Sequence, residues 1–342
     1  MMIDVKGNER VLVCPLGWGL GHATRVIPII SSLLTKGCTV IIAADKGSAA
    51  LLRARFPNLE YIRFPSLKVK FTKGKLSFFT LICIANGMLL LTIREHSQIK
   101  RLVNKHQIDF ILSDNRYGLW LKGTRSALIT HQLNILFPFP FKWLQPLGQR
   151  YVRKHAQQFT ECLVPDRSEG IRLTGKLTEP KKLPRNVRFI GVLSRFADIE
   201  IDYPKTRWDM LGIVSGPEPQ RQILESILID LANKLGVRSL ILQGLPAGKH
   251  SAKVIGKATL VPHLPDLEIA NAISSAKNIV CRSGYSTIMD LITLKRKAVL
   301  VPTPGQTEQE YLARYLSQHF GFTYVKQCKL IDICLNPNYS SE

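Results

Sequence analysis

Three alternating glycines run into a histidine in GWGLGHATR, Gly17 to Arg25, and this is the first stretch with the residue types to do chemistry. It follows the apolar run RVLVCPL and precedes VIPIISSLLTKG, so it reads as a strand-to-helix turn. Glycines let a backbone turn tightly and approach a ligand. The helix end behind them offers free N–H groups and a partial positive charge. A nicotinamide-dinucleotide loop needs GxGxxG. Counted from Gly17 the last position is His22, and from Gly19 it is Thr24, so the spacing is wrong even though Asp45 suits a ribose hydroxyl. His22 falls in the first helical turn, where the helix end disfavours an imidazolium and lowers the pKa. A neutral imidazole there is a general base. A capping or packing role for His22 stays open.

A second constellation lies in NIVCRSGYSTIMDL, Asn278 to Leu291. It is again strand, turn and helix, with Arg282, Ser283 and Gly284 forming an anion cradle. Asp290 follows about two helical turns on, within reach of a ribose. VLVPTPGQTEQEYLARYL then gives a strand, a proline-rich loop and a helix that opens with Thr307, Glu308, Gln309 and Glu310. Those side chains suit sugar hydroxyls, while Thr307 and Glu310 also match a capping box. Asp114 in SDNRYG and His131 in ITHQL end strands of the first half. Each is an acceptor contact or a buried polar residue satisfied by backbone.

The elements that must position these residues alternate along the chain. RVLVCP, CTVIIAAD, LEYIRFP, IDFILSD, RSALITHQ and ECLVPD read as six strands with helical segments between them. A second series starts near Met210 and alternates again through MLGIVSG, RSLILQG, ATLVPHL, NIVCRSG and AVLVPTP. Such alternation predicts an α/β chain with two parallel-sheet, Rossmann-like domains facing an interdomain cleft, ligands lying beyond the carboxyl ends of the strands. The expected boundaries are 1–190, a linker over 191–209 that follows the Pro- and Lys-rich GKLTEPKKLPRN, and 210–342.

CRSGYSTIMDL followed by VLVPTPGQTEQEYLARYL resembles the donor-site signature of family 28 glycosyltransferases of the GT-B fold. GWGLGHATR resembles the same family's N-terminal glycine loop, which also ends in histidine. The resemblance spans most of the chain and is weak between about residues 50 and 105. It implies transfer of a hexose or N-acetylhexosamine from a UDP-sugar to a lipid-linked or glycan acceptor, with inversion. By position, Ser283 and Gly284 imply diphosphate contacts, and Asp290 replaces a glutamate that holds the donor ribose. Gln309 and Glu310 match a polar pair near the donor sugar, the second being glutamine in the family's best-known member. His22, with Gly19 and Gly21, falls on the acceptor side. VSGPEPQR puts Ser215 and Gly216 where the family has a glycine–serine loop. Arg221 is then a phosphate contact or a solvent-facing side chain.

Displacement at an anomeric carbon needs a stabilised leaving diphosphate, a base and alignment of both substrates. Helix N-termini and an arginine supply the first, and His22 is the candidate base. The nearest approach to a metal-binding Asp-x-Asp is DIEID, with Asp198, Glu200 and Asp202 in the expected linker, so no metal and no cofactor is expected.

The net charge of +22 points to an anionic partner. From Arg63 to Lys154 there are 16 Lys or Arg against three acids, with Phe137, Phe139, Phe141 and Trp143 in the same region. This mixture suits an anionic membrane surface; the aromatics also suit packing inside the fold, and nucleic acid is not expected. Leu76 to Ile93 carries no charge and reads as a crossover helix, buried or lying on a membrane surface. Seven scattered cysteines and a polar N-terminus without a signal peptide fit a cytoplasmic protein at the inner face of the membrane. A nucleotide-sugar hydrolase or epimerase, and a non-enzymatic basic module for membrane or nucleic acid, are the alternative functions.

Overall fold

The computed structural model describes residues 3–66, 78–201, 208–246 and 251–335. Leu76 and Ser77 of the apolar segment and Asp202 of DIEID lie outside the described residues. The chain divides into two compact units, which meet in sequence between Leu193 and Ser194.

The first unit contains β1 (Arg10–Pro15), α1 (Leu20–Thr35), β2 (Thr39–Ala44), α2 (Lys46–Arg55), β3 (Glu60–Arg63), α3 (Phe78–His106), β4 (Phe110–Asp114), β5 (Arg125–Ile129), α4 (Gln145–Ala156), β6 (Glu161–Val164) and β7 (Val187–Phe189). Its strands form one parallel sheet in the order β3-β2-β1-β4-β5-β6-β7. The central strands are mostly apolar, as strands of a parallel sheet with both faces covered must be. Leu12, Cys14, Ile41, Ile111 and Leu119 are buried there in one cluster with Ile99 of α3. The order reverses between β1 and β4, where Pro15 pairs with Asp114. The turn after β1 and the end of β4 therefore share the switch point at which such sheets bind ligands.

The second unit repeats the plan with β8 (Met210–Ile213), α5 (Gln220–Leu235), β9 (Ser239–Leu242), β10 (Lys253–Ile255), β11 (Ala258–Val261), α6 (Asp266–Ser275), β12 (Asn278–Cys281), α7 (Tyr285–Thr293), β13 (Val299–Leu300), α8 (Thr307–His319), β14 (Thr323–Tyr324) and α9 (Leu330–Leu335). Its order is β10-β11-β9-β8-β12-β13-β14, parallel except for the β10–β11 pair. The reversal falls between β8 and β12, so the turns after Ile213 and Cys281 lie side by side.

Three short strands, β7, β10 and β14, add to the sequence reading, all at sheet edges. GKLT within the Pro- and Lys-rich stretch is a short 3-10 helix, Gly175–Thr178, with Leu177 and Thr178 buried in the first unit. Among the described residues no helix is long and apolar enough to cross a membrane.

Candidate active site

In the first unit the glycine turn is held by packing. A Cβ on Gly17 would lie 2.7 Å from Ser66 Oγ, the same atom that accepts the Gly17 N–H at 2.9 Å. Only glycine tolerates that approach. Gly19 ends the turn as the residue before α1, in extended backbone, and a Cβ there would meet nothing within 4 Å. Gly21 lies in the first turn of α1. Asp45 is tied back to the scaffold, accepting the Ser66 N–H at 3.3 Å.

His22 follows on the first turn of α1, its side chain 16% exposed. Its Nδ1 lies 2.8 Å from Asp114 Oδ2, and Nε2 has no partner among the described residues. Asp114 is fully buried at the end of β4. Arg25, three residues after His22 and so on the same helical face, donates to Asp114 Oδ1 from Nε at 2.6 Å, with Nη2 2.5 Å from that oxygen. Its Nη1 lies 2.9 Å from His131 Nδ1, just beyond β5. The structure thus gathers His22, Asp114 and His131 into one network, with Arg25 at its centre. Asp114 and His131 are buried within it, so Asp114 meets a substrate only through His22.

Burial would raise the Asp114 carboxyl, but Arg25 and His22 overcome this and hold it below the usual carboxylate range. The His22 imidazole is lowered, first by burial and then by Arg25, against the pull of Asp114. The direction is the one the helix-end argument predicts; burial is the leading cause. A neutral ring with Nδ1 bound to a carboxylate keeps Nε2 as its available base.

In the second unit the side chains behave differently. Ser215 and Gly216 form the turn after β8, and Gly216 has φ +103°, a conformation that excludes a Cβ. Arg221 is neither a free phosphate ligand nor a solvent-facing residue. It is buried, with Nη1 2.6 Å from Glu225 and Nε 2.5 Å from Glu218. Arg282 is fully buried and donates to the carbonyls of Val301, Pro302 and Gln220, so it braces the turns and is not aimed at an anion. Burial pushes its guanidinium down to about 10. Ser283 is buried and donates from Oγ to the Gln309 carbonyl at 2.8 Å. Gly284 precedes α7, and a Cβ on it would meet nothing within 4 Å. What this turn presents is backbone: an open glycine at a helix N-terminus.

Asp290 is buried in α7 and accepts from Ser194 Oγ at 2.6 Å and Arg195 Nε at 3.3 Å. Burial raises its carboxyl, and Arg195 and Ser194 oppose that. In this arrangement its oxygens serve residues that open the second unit, not a free ribose position. Gln309 Oε1 accepts the Thr303 N–H at 2.9 Å and Glu310 Oε1 accepts the Gly305 N–H at 3.0 Å. This pair shapes the loop before α8, whose N-cap is Gln306 rather than Thr307.

Arg25 and Ser66 carry weight that the sequence reading missed. A lone arginine inside the apolar run ATRVIPII was the available signal, since a buried charge needs a partner. For Ser66 no local signal exists. Among the described residues no group of three or more His, Cys, Asp and Glu side chains could hold a metal ion.

Two parallel-sheet units, each with a glycine turn at its switch point, define a GT-B fold, and the chain is a glycosyltransferase of that fold class. Residues 264–333 match the glycosyltransferase family 28 C-terminal domain. Over 338 residues the chain is 24% identical to the UDP-N-acetylglucosamine--N-acetylmuramyl-(pentapeptide) pyrophosphoryl-undecaprenol N-acetylglucosamine transferase of Pasteurella multocida, covering 94% of this chain and 86% of the relative. Among solved structures, Acinetobacter baumannii MurG superposes with a TM-score of 0.53 at 15% identity, covering 96% of this chain and 89% of that one. The calicheamicin glycosyltransferase CalG4 superposes with a TM-score of 0.62 at 12% identity, covering 96% and 88%.

Proposed function

We propose that the protein moves a hexose or N-acetylhexosamine from a UDP-sugar to a hydroxyl of a lipid-linked or glycan acceptor, inverting the anomeric centre. The observation that carries this is the His22–Asp114 contact at the first unit's switch point. Asp114 Oδ2 takes the Nδ1–H and orients the ring. Nε2 removes the acceptor proton as that oxygen attacks the anomeric carbon, and the bond to the diphosphate breaks. The departing diphosphate is stabilised by backbone N–H groups and the helix dipole at the start of α7, over Gly284. Ser215 and Gly216 form the neighbouring turn for the nucleotide. The Pasteurella relative supports both the donor class and a lipid-linked acceptor.

An anionic membrane face at the cytoplasmic side belongs to the same proposal. Phe139 and Trp143 are 85% and 65% exposed, with Leu147 exposed on α4 and Leu89, Leu90 and Ile93 on α3. Phe137 instead lies over Gly148, 3.0 Å from where a Cβ would stand. Lys142, Arg150 and Lys154 are exposed along the same chain segment. Apolar side chains among cations suit a headgroup layer.

The test is product analysis with a panel of UDP-sugars and polyprenyl-diphosphate-linked acceptors, beside flotation with anionic vesicles. Transfer that needs His22, and vesicle binding weakened in Phe139→Ser/Trp143→Ser, are expected. Sugar release without acceptor at the same rate would overturn transfer, and unchanged flotation would overturn the membrane face.

A further inference from the structure

Arg25 has no place in the transfer scheme, yet it reaches His22, Asp114 and His131 together. We propose that Arg25 is a positioning residue: it holds Asp114 so that Oδ2 faces His22, and its charge cancels that carboxylate's at the imidazole. This rests on His22 being the base.

Both nitrogens that reach Asp114, Nε and Nη2, go to Oδ1. A charge-assisted bond to one oxygen anchors that end of the carboxylate. Oδ2 is left for His22 Nδ1 at 2.8 Å. On the far side Nη1 meets His131 Nδ1 at 2.9 Å. A guanidinium only donates, so His131 Nδ1 accepts, and His131 stops the guanidinium from rotating away.

The charge argument is separate. A carboxylate beside an imidazole favours the imidazolium, which is useless as a base. Arg25 Nη2 lies 2.7 Å from the same Nδ1 that Oδ2 approaches at 2.8 Å; with the Nδ1–H given to Oδ2, Nη2 makes no hydrogen bond to that nitrogen and acts on the ring through its charge. Opposite unit charges at matched distances largely cancel at the ring. The charged and titratable groups facing His22 are Arg25 on its own helix, Asp114 from β4 and His131 beyond β5. The ring therefore gains orientation from Asp114 without being charged by it; burial first, and Arg25 after it, hold the imidazole below its ordinary range.

The experiment compares wild type, Arg25→Met, Arg25→Lys and the double variant Arg25→Met/Asp114→Asn. Two readouts are taken on each: the pH profile of kcat/KM, and titration of the His22 ring by NMR on histidine-labelled protein, assigned with His22→Ala. In Arg25→Met the acidic limb and the ring titration both move to higher pH. The ratio of kcat/KM at pH 6 to that at pH 8 falls roughly threefold or more, since an uncompensated Asp114 charges the ring. In the double variant both return toward wild type. Arg25→Lys keeps the charge and loses the grip, so kcat falls about 10- to 100-fold while the limb stays.

Should Arg25→Met not fold, the double variant, free of both buried charges, and Arg25→Lys decide the matter. A limb shifted in Arg25→Lys, or displaced to higher pH in the double variant, overturns the proposal. So does an unmoved ring titration in folded Arg25→Met. A rise in kcat there would mean that Arg25 donates to Nδ1 and holds the unproductive tautomer, which also overturns it. Ring titrations that shift as stated while His22→Ala keeps full transfer would sink the base assignment and leave the electrostatic pairing standing.

Discussion

The two units place the same device, a glycine turn at a sheet's switch point, and fill it in opposite ways. In the first, ionisable side chains converge on the turn: His22, Asp114, Arg25 and His131 form one buried network ending at a half-open imidazole. In the second, the ionisable side chains are spent on the scaffold. Arg282 grips carbonyls, Arg221 grips two glutamates and Asp290 is held by Ser194 and Arg195. What remains at that turn is backbone and the open position at Gly284. On the proposed function the difference separates two tasks. Proton transfer needs a side chain whose pKa is tuned by neighbours. A diphosphate is held by oriented peptide N–H groups, which need space more than side chains.

Substitutions that probe this contrast rank by size. Asp114→Asn removes the orienting carboxylate and leaves Arg25 buried without a counter-charge. It lowers kcat about 10²- to 10⁴-fold and costs about 3–5 kcal/mol in denaturant unfolding. An intact kcat would show that the network is scaffold only. Gly284→Val places a branched side chain where nothing stands within 4 Å. The thermal midpoint therefore holds, while UDP affinity by calorimetry drops at least about tenfold, or roughly 1.4 kcal/mol. Retained affinity would move the diphosphate elsewhere. Arg282→Met strips the donors from three buried carbonyls and costs about 2–4 kcal/mol of stability. UDP affinity of the folded fraction stays put, and a selective loss of affinity would restore Arg282 as a phosphate ligand. Arg221→Ala is the mildest, about 1 kcal/mol of stability with unchanged UDP binding.

The core of this architecture is legible because a strand covered on both faces has an apolar centre, and β1, β4 and β9 each carry one. The edge strands β10 and β14 are only three and two residues long and contain exposed positions, so no pattern marks them. The positions of His22 at a helix start and of Asp114 and His131 at strand ends follow from alternation and topology alone. Their mutual contact does not, because it depends on β1, β4 and β5 lying side by side. The donor-side assignments rest on which turn a residue occupies and carry no information on where its side chain is spent. CRSG reads as a cation next to an anion turn, but its arginine lies under neighbouring loops and donates to their carbonyls. Spacing along the chain reports which turn a residue occupies; what it faces is set by segments far away in sequence.

The division of labour is tested most directly by one protein and two numbers: His22→Ala, assayed for transfer from a UDP-sugar and for UDP affinity by calorimetry. Transfer is expected to fall about 10²- to 10⁴-fold with UDP affinity unchanged. An enzyme that still transfers at the wild-type rate, or one that loses UDP binding together with transfer, would contradict the assignment of proton transfer to the first unit and diphosphate binding to the second.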